Sequence, residues 1–535
     1  MRSDTARRQH WPIADSWIAE LPDTAPVQVD WLIDNSAAHD ALIQAVRDAR
    51  ESIWISQLAF DADYTVHASA DAVPGADRGG ENLLDAILAT SEEHRVVVRI
   101  LLNSTLLLDT RRPLLKFLAT CKRDASLVEV RGISRFPQLL HAKLVVIDER
   151  QAFLMGSPFV NGYWDPPSHR PLDHRRPRRE LGGRPVHDVS VALRGNVVRD
   201  LAAIFARLWT GAERQDSTTD GSVGVASMNS EAPSAETRPS GRTTGKRDAE
   251  VVTTEPCGVR GSDNPGSRQT LDALLDGIRR ARSLIYIEHQ YLSSRPVADA
   301  LRAALDRQHA LEIVLLLNQN PDVTAYRRWQ DVRLTDTGLL DHPRVGVFAL
   351  WSTGSRYESD AGINQVFVHS KVVIVDDTWA MVGSANLDGA SLDSYGDDFS
   401  GRLGRRVFRN VRNFDVGVVL ETELKSGSVR NPIYQLRHQL WTEHLGHHSS
   451  EAARVIPVAD WRALASRNIA ALNETAEGRS RELEGSFVLP YSTRLSPRAQ
   501  LADLGVRSSV CDDLHFDPGW LELHFSPNWI RNMFL

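Results

Sequence analysis

Residues 139–157 read LLHAKLVVIDERQAFLMGS and residues 367–384 read FVHSKVVIVDDTWAMVGS, so one pattern occurs twice in the chain. In each copy a histidine and a lysine, two residues apart, begin an aliphatic run that is typical of a buried strand. Side chains two apart on a strand point to the same face. Burying an imidazole and an ammonium there costs free energy, which favours a functional role over a packing role.

The repeated motif predicts a catalytic set of two histidines, two lysines and two aspartates. Its members are His141, Lys143 and Asp148 in the first copy and His369, Lys371 and Asp376 in the second. Each aspartate falls where its strand ends, and its expected role is to tie the strand end to a loop. A single motif of this kind is often a surface feature, whereas two copies favour function.

These residue types suit the cleavage of a phosphodiester. A neutral imidazole can attack phosphorus and form a covalent intermediate. A second, protonated imidazole can donate a proton to the leaving oxygen and later accept one from water or an alcohol. Two lysines can neutralise the charge that builds up on the phosphoryl oxygens. This chemistry needs neither a metal nor a cofactor.

The duplication extends well beyond the motif. Residues 40–60 read DALIQAVRDARESIWISQLAF and residues 272–292 read DALLDGIRRARSLIYIEHQYL, each a helical pattern followed by a strand pattern. These segments lie 232 residues apart, the motif histidines 228 apart, and the tryptophans of two LWT tripeptides 232 apart. Elements that recur in one order at nearly one spacing indicate a duplicated unit.

The sequence therefore predicts an α/β protein with two pseudo-two-fold-related halves, each a mixed sheet flanked by helices. Between the halves, residues 214–248 are rich in Ser, Thr, Gly and charge, which is typical of a flexible linker or insertion. The predicted divisions are an N-terminal extension (1–27), a first half (28–213), the linker (214–264), a second half (265–450) and a C-terminal extension (451–535).

Composition narrows the functional classes. The chain has 535 residues, 42% of them hydrophobic, with a net charge of −7 and a pI near 6.2, which argues against a general nucleic-acid binder. Three scattered cysteines form no metal-like pair. The N-terminal residues lack the apolar stretch of a secretory signal, and no run approaches a membrane span. We expect a cytoplasmic, monomeric protein that makes transient peripheral contact with a membrane surface.

An HxKxxxxD motif followed by a Gly-Ser-x-Asn turn, twice in one chain, resembles the phospholipase D superfamily. The second copy fits fully, with Ser384 and Asn386 in the turn. The first copy keeps Ser157, but the asparagine position holds Pro158 in a gapless alignment or Phe159 after a shift of one residue. Either another donor, such as Asn161, replaces the amide or the two halves have diverged.

Longer stretches are similar to the phospholipid-active branch of that superfamily. They are MGSPFVNGYWD (155–165), HDVSVALRGNVVRDL (187–201), IYIEHQYL (285–292) and LRHQLWTEHLG (436–446). The resemblance implies that His141 is the nucleophile and His369 the general acid, although the near-symmetry of the copies leaves this open. It also implies a glycerophospholipid substrate that is hydrolysed to phosphatidic acid or transferred to an alcohol.

Two further carboxylates lie at equivalent places after the motifs. Asp188 and Asp415 follow His141 and His369 by 47 and 46 residues and begin β-branched runs. The resemblance implies that such acidic residues contact the histidines, where they would fix the imidazole tautomer. A strand-edge position with no catalytic role is the alternative. Basic segments at 168–184 and 402–412 are either solvated loops or the mouth of the site.

Other functions remain open on the sequence. A cardiolipin synthase-type phosphatidyltransferase shares the motif, but such proteins usually begin with membrane-spanning helices. A nuclease or phosphodiesterase of the same superfamily is disfavoured by the acidic balance, and we expect no nucleic-acid partner. A non-catalytic scaffold is disfavoured because both His-Lys-Asp sets are intact.

Overall fold

The computed structural model describes most of residues 27–512. The described ranges are 27–67, 80–105, 108–133, 138–171, 173, 175–176, 183–214, 248–257, 266–322, 324–353, 362–394, 412–445, 455–475, 483 and 485–512. The N-terminal extension before residue 27, most of the predicted linker, and residues 402–411 of the second basic segment lie outside these ranges.

The first half contains thirteen strands among its described residues, nine of them in one sheet. The strands are β1 (Gln28–Ile33), β2 (Ser52–Gln57), β3 (Thr65–Val66), β4 (Glu81–Asn82), β5 (Val97–Thr105), β6 (Leu108–Asp109), β7 (Val128–Ile133), β8 (Leu139–Leu140), β9 (Leu144–Ile147), β10 (Gln151–Leu154), β11 (Val186–His187), β12 (Val189–Arg194) and β13 (Glu213–Arg214). The sheet order is β1-β12-β10-β9-β2-β5-β7-β13, with β6 beside β5. Strands β2, β5 and β7 are parallel and their other neighbours antiparallel, so the sheet is mixed.

The second half builds a matching mixed sheet. Its strands are β14 (Ala249–Glu255), β15 (Ser267–Arg268), β16 (Leu284–His289), β17 (Glu312–Leu317), β18 (Val345–Thr353), β19 (Ile363–Gln365), β20 (Phe367–Val368), β21 (Lys371–Val375), β22 (Trp379–Gly383), β23 (Asn413–Glu421) and β24 (Gly485–Pro490). The order is β15-β14-β23-β22-β21-β16-β17-β18-β19, with β24 on β18. The run from β14 to β18 repeats the run from β1 to β7, which confirms the predicted α/β fold class.

Helices flank both sheets. They are α1 (Asp34–Asp48), α2 (Leu83–His94), α3 (Arg111–Thr120), α4 (Val197–Thr210), α5 (Gln269–Arg280), α6 (Arg295–Arg307), α7 (Thr324–Asp336), α8 (Pro432–His444), α9 (Val458–Thr475), α10 (Pro497–Asp503) and α11 (Ser508–Asp512). Among the described helices, none is long and apolar enough to cross a bilayer.

The largest core is shared between the halves. One face of the first sheet contributes Trp54 and Leu144, the second sheet contributes Tyr286 and Ile374, and α4, α8 and α9 pack among them. The opposite faces of the two sheets form separate cores with α1 and α2 and with α5 and α6. Because burial of apolar area is the main favourable term in folding, the shared core holds the two halves together.

Short strands also cross between the halves. Strand β8 pairs in parallel with β23 of the second half, and β11 pairs in parallel with β20. Each of β8 and β20 ends at the residue before a motif histidine. These crossings therefore bring both motifs to the boundary between the two sheets.

Two predicted divisions differ from the observed elements. Residues 249–255, within the expected linker, form β14 and pair with β23, because their alternating Val-Val-Thr-Thr pattern buries one face against the second sheet. The C-terminal extension contributes α9 and β24 to the same half. The second half is therefore larger than its repeat boundaries indicated.

Candidate active site

The two motif histidines are held by backbone hydrogen bonds from the opposite half. The His141 amide donates to the Phe414 carbonyl at 3.0 Å, and the His369 amide donates to the His187 carbonyl at 2.8 Å. Both imidazoles are buried, with 3% and 0% of their surface exposed. This reciprocal arrangement places both His-Lys pairs on one boundary.

Each imidazole is oriented by a carboxylate of the other half. His141 Nδ1 lies 2.7 Å from Asp415 Oδ1, and His369 Nδ1 lies 2.8 Å from Asp188 Oδ2. The resemblance implied that these aspartates contact the histidines, but it did not indicate which aspartate pairs with which histidine. The pairing is exchanged between the halves, because β8, just before His141, pairs with β23, and β20, just before His369, pairs with β11. In each bond the protonated Nδ1 donates to the carboxylate, which leaves the lone pair of Nε2 for chemistry.

The serines of the Gly-Ser turns support the same carboxylates. Ser384 Oγ donates to Asp415 Oδ1 at 2.7 Å, and Ser157 Oγ donates to Asp188 Oδ2. A Cβ atom at Gly156 would lie 2.0 Å from Asp188 Oδ1, so only glycine leaves room for that carboxylate. The Gly-Ser turns thus hold the carboxylates of Asp188 and Asp415, and these carboxylates orient the histidines.

The asparagine of the second turn has no counterpart in the first. Phe159 and Leu387 form equivalent isolated bridges, to Phe60 and Leu292. One residue separates Ser157 from Phe159, whereas two separate Ser384 from Leu387. The first copy is therefore one residue shorter, and the Asn386 position is deleted rather than replaced by Pro158 or Phe159.

A different amide reaches the first turn. Asn35, the second residue of α1, donates through Nδ2 to Ser157 Oγ at 3.0 Å. Asn161, which the sequence raised as a substitute, faces away, and its Oδ1 accepts from the Thr65 amide at 3.0 Å. The sequence could not identify Asn35 because it lies 122 positions from Ser157.

The two lysines differ in their surroundings. Lys143 Nζ lies 3.2 Å from His141 Nε2. Lys371 Nζ donates to Gln290 Oε1 at 3.1 Å and to the His369 carbonyl. Gln290 continues a polar chain, since its amide donates to the Tyr291 hydroxyl at 2.7 Å.

Gln290 lies within the IYIEHQYL stretch (285–292), which by itself predicted no role for this side chain. Comparison of the repeats shows that this position is Leu58 in the first half, and this asymmetry was a usable signal.

Burial sets the charge state of the site before substrate arrives. Burial and the charge of Lys143 lower the pKa of His141 to about 4, and burial and Lys371 lower that of His369 to about 3. Burial lowers the pKa of Lys143 to about 8 and that of Lys371 to about 7. Both imidazoles are consequently neutral near pH 7. A bound anion would raise the pKa values of the buried histidines and lysines and so favour their positively charged forms.

Several buried polar atoms at the site have no hydrogen-bond partner within the described structure. They include His369 Nε2, Asp415 Oδ2, Asn386 Oδ1, Gln57 Nε2 and Oε1, and His289 Nδ1. His289 pairs with Lys371 across β16 and β21. Such atoms are costly to bury unless a ligand or water satisfies them. Gln57 and His289 occupy equivalent repeat positions, 232 residues apart, which the sequence analysis could have noted.

The motif aspartates lie at the far ends of their strands. Asp148 accepts amide hydrogens from Arg50, Glu51 and Ser52 at 2.7–2.9 Å. Asp376 accepts equivalent bonds from the amides of residues 282–284 at 2.8–2.9 Å. These contacts tie strand ends to loops, as the pattern suggested, and place neither carboxylate beside a histidine.

The described part of the first basic segment folds inward. His169, Arg176 and Arg184 are all buried, with at most 3% of their surface exposed. The Arg184 guanidinium lies 4.7 Å from the centre of the Phe367 ring and donates to the Asn320 carbonyl. Phe367 is two residues before His369. These three side chains are therefore not part of a solvated loop. Arg176 and His169 instead contact Asp165.

Comparison with known proteins places this geometry in context. Residues 274–399 match a family model described as "Cardiolipin synthase, PLD-like domain", and residues 353–502 match one described as "Phospholipase D". Phospholipase D zeta 2 of Arabidopsis thaliana is 27% identical over 250 residues, covering 37% of this chain and 22% of that protein. Phospholipase D zeta 1 of the same plant is 29% identical over 230 residues, covering 39% and 19%.

The chain thus spans about a fifth of the length of these relatives. The crystal structure of phosphatidylserine synthase from Haemophilus influenzae Rd KW20 is also similar, with a TM-score of 0.46 and 14% identity. That similarity covers 80% of this chain and 88% of the other. Because the second half matches both family models and the first half repeats its motif and strand order, the chain belongs to the phospholipase D superfamily.

Proposed function

We propose that this protein is a phospholipase D-type phosphodiesterase that cleaves the headgroup phosphodiester of a glycerophospholipid through a covalent phosphohistidine. The observation that carries the proposal is the exchanged pairing of His141 with Asp415 and of His369 with Asp188. This pairing aims two Nε2 atoms, each with a lysine nearby, at one boundary. Such a pair can act as nucleophile and general acid on a single phosphorus.

In the first step the lone pair of His141 Nε2 attacks phosphorus, and the bond from phosphorus to the headgroup oxygen breaks. The His141 ring becomes cationic, and Asp415, 2.7 Å from Nδ1, stabilises that charge. His369 Nε2 delivers a proton to the departing oxygen, which leaves as the headgroup alcohol. The phosphate anion entering beside the lysines raises the pKa of His369 from its substrate-free value, so that it carries this proton.

In the second step a water or alcohol gives its proton to His369 Nε2 and attacks phosphorus. The phosphorus–nitrogen bond breaks, and His141 returns to its neutral form. The lysines neutralise non-bridging oxygens throughout. Lys143 Nζ, which faces His141 Nε2 before substrate binds, moves to the phosphate and frees the lone pair.

The acceptor in the second step decides between hydrolysis and transfer. Water yields phosphatidic acid, whereas an alcohol yields a new phospholipid. The description "Cardiolipin synthase, PLD-like domain" over residues 274–399 favours transfer to a lipid alcohol as the second candidate function. Both outcomes share the same phosphohistidine.

The choice of a phospholipid over a nucleic acid rests on two observations. The curated relatives that match are named phospholipase D, and the net charge of −7 disfavours a polyanion. Contact with a membrane surface and a monomeric state remain predictions of this proposal.

The test is incubation of the purified protein with mixed phospholipid vesicles and ethanol. We expect phosphatidylethanol and free headgroup, detected by mass spectrometry. His141→Ala and His369→Ala should each abolish both products, whereas His309→Ala, at an exposed histidine, should retain them. Plasmid degradation without lipid turnover, or full activity of either active-site variant, would refute the proposal.

The order of the histidines has its own test. A phosphatidyl ester of p-nitrophenol has a leaving group that needs no proton. With it, His369→Asn should still release a burst of nitrophenol and trap a phosphatidyl-histidine, because only the acid is missing. His141→Asn should release none. The reverse pattern would make His369 the nucleophile.

A further inference from the structure

A second cluster of buried titratable side chains lies directly behind the catalytic carboxylate Asp188. Its four central residues are Asp34 at the start of α1, His169, His187 in β11, and Glu443 in α8. The first three are wholly buried, and the Glu443 side chain retains 13% of its exposure. The catalytic mechanism uses none of the four.

Four of the six distances among their ligand atoms are close to the edges of a small tetrahedron, and all six are within 4.8 Å. His187 Nδ1 lies 2.9 Å from Asp34 Oδ1 and 2.9 Å from Glu443 Oε1. His169 Nε2 lies 3.4 Å and 3.1 Å from the same two oxygens. A tetrahedral zinc ion with bonds of about 2.0–2.1 Å separates its ligands by about 3.3 Å.

Both imidazoles are oriented for metal binding by carboxylates on their far sides. His169 Nδ1 lies 2.6 Å from Asp165 Oδ2, and His187 Nε2 lies 2.6 Å from Glu288 Oε1. These bonds place the proton on the outer nitrogen of each ring and leave the inner nitrogen with its lone pair. Metal-bound histidines in proteins almost always have such an outer carboxylate or carbonyl partner.

Two buried atoms in the cluster lack a hydrogen-bond partner. His187 Nδ1 is close to both carboxylates but aligned for a hydrogen bond with neither, and Asp34 Oδ2 has no partner among the described residues. An imidazole nitrogen that faces the space between two carboxylates is oriented toward a shared central atom. Leaving these atoms unpaired in a dry interior would cost free energy that a bound cation recovers.

We propose that Asp34, His169, His187 and Glu443 bind one Zn²⁺ ion in a closed tetrahedral site that joins the two halves of the protein. Four protein ligands leave no open position, which is the hallmark of a structural rather than a catalytic zinc. Two carboxylates and two neutral imidazoles balance the charge of the ion. Nitrogen and oxygen ligands in this geometry suit zinc better than magnesium or calcium, which prefer six or more oxygens.

The site spans the boundary between the halves. Three ligands come from the first half and Glu443 from the second, while the outer carboxylate Glu288 also belongs to the second. The ion therefore cross-links the halves without a covalent bond. The sequence expectation of no metal concerned the phosphoryl chemistry, and the proposed zinc takes no part in that chemistry.

The position of the cluster also links it to the catalytic carboxylate. The Asp34 amide donates to the Asp188 carbonyl at 2.8 Å, and the His187 carbonyl accepts from the His369 amide at 2.8 Å. An ion that fixes Asp34 and His187 consequently fixes the backbone on which Asp188 and His369 depend. It acts through positioning and contacts no substrate.

The alternative is a metal-free network of ion pairs. Burial lowers the pKa of His169, but the charge of Asp34 and hydrogen bonds to Asp165 and Glu443 outweigh it and raise that pKa to about 10. In such a network His169 would stay protonated and its Nε2 would donate to Glu443. Metal analysis separates the two possibilities directly, whatever the activity of the protein.

The experiment measures metal in the full-length protein after dialysis against metal-free buffer. We expect about one zinc per chain by inductively coupled plasma mass spectrometry. Removing it with dipicolinate should lower the melting temperature, and added zinc should restore that temperature in a concentration-dependent way. Cobalt in place of zinc should give the intense visible bands of tetrahedral coordination.

Variants sharpen the test. His169→Ala should lose the zinc and the zinc dependence of melting. Asp165→Asn, which keeps all four ligands, should weaken zinc affinity about 10–100-fold. His39→Gln is the matched control, because His39 is a wholly buried histidine of the same half that contacts Tyr64, outside the cluster, and should keep zinc.

Three results would overturn the proposal. They are less than about a tenth of a zinc per chain when the protein is dialysed first with zinc and then against metal-free buffer, another metal at full occupancy in its place, or unchanged zinc content in His169→Ala. The zinc content of the parent protein is measured directly. A variant that folds poorly therefore does not affect the result for the parent protein.

Discussion

At the scale of single residues, the exchange of carboxylates between the halves is the feature on which the proposed chemistry most depends. Asp415 holds His141 from the other half, and Ser384 holds Asp415 in turn. The sequence identified all three residues from their motifs. It could not identify the exchange, because spacing along the chain reports distance within a repeat and carries no information about which sheet a strand end joins.

We predict that Asp415→Asn lowers kcat about 10²–10⁴-fold while binding of substrate changes little. The amide can hold the His141 ring but favours the wrong tautomer and cannot stabilise its cation. Steady-state kinetics on phospholipid vesicles would measure the loss. The control is Asp148→Asn, at the end of strand β9 that lies away from His141, which should keep kcat. A kcat for Asp415→Asn within a few-fold of the parent would contradict the assigned role.

The lysines predict a pH dependence. Because burial lowers the pKa of Lys371 to about 7, its ammonium is present below that pH and is lost as pH rises through it. We expect kcat/KM to fall with rising pH above about 7. Inhibition by dimethyl phosphate, whose single charge is constant over this range, should weaken in parallel. A profile that stays flat to pH 9 would show that the lysine does not titrate there.

At the scale of elements, the motif aspartates close the ends of β9 and β21 rather than the active site. The sequence placed them at strand ends and suggested this role. The repeats also predicted that corresponding strands occur in both halves, because their apolar segments have similar lengths and similar alternation. The deletion opposite Asn386 could not be predicted from the sequence. Ser157 aligns with Ser384 in one register, whereas Phe159 aligns with Leu387 in a register shifted by one residue.

We predict that Asp148→Ala destabilises the protein by roughly 2 kcal/mol or more while the active-site geometry survives. Three amide hydrogens, of Arg50, Glu51 and Ser52, lose their acceptor. Chemical unfolding monitored by circular dichroism would report the change. Arg150→Ala, two residues away at an exposed surface ion pair, is the control and should cost little. Unchanged stability with lost activity in Asp148→Ala would instead make this aspartate catalytic.

At the scale of the whole molecule, a shared core and two crossing strand pairs make the halves one functional unit. The sequence revealed two copies and a segment between them, but how the copies face each other is set by packing that no repeat alignment encodes. The same limit hid the histidine–carboxylate cluster, whose ligands Asp34 and Glu443 lie at nearly opposite ends of the described chain.

We predict that cutting the chain at a protease site inserted between residues 215 and 247 leaves activity intact. The contacts that join the halves include the core around Trp54 and Tyr286 and the β8–β23 and β11–β20 pairs, and these do not need the covalent connection. Size-exclusion chromatography should show both fragments in one peak with phospholipid turnover near that of the uncut protein. Separate elution with lost activity would contradict this.

The exchanged carboxylates also matter during synthesis. The partner of His141 lies 274 residues further along the chain, so a ribosome that has finished the first half has made a histidine without its aspartate. At typical rates of about 5–20 residues per second, that interval lasts tens of seconds. On the proposed mechanism the active site is therefore incomplete until translation has passed Asp415, and a chain that terminates earlier lacks the carboxylate that orients His141.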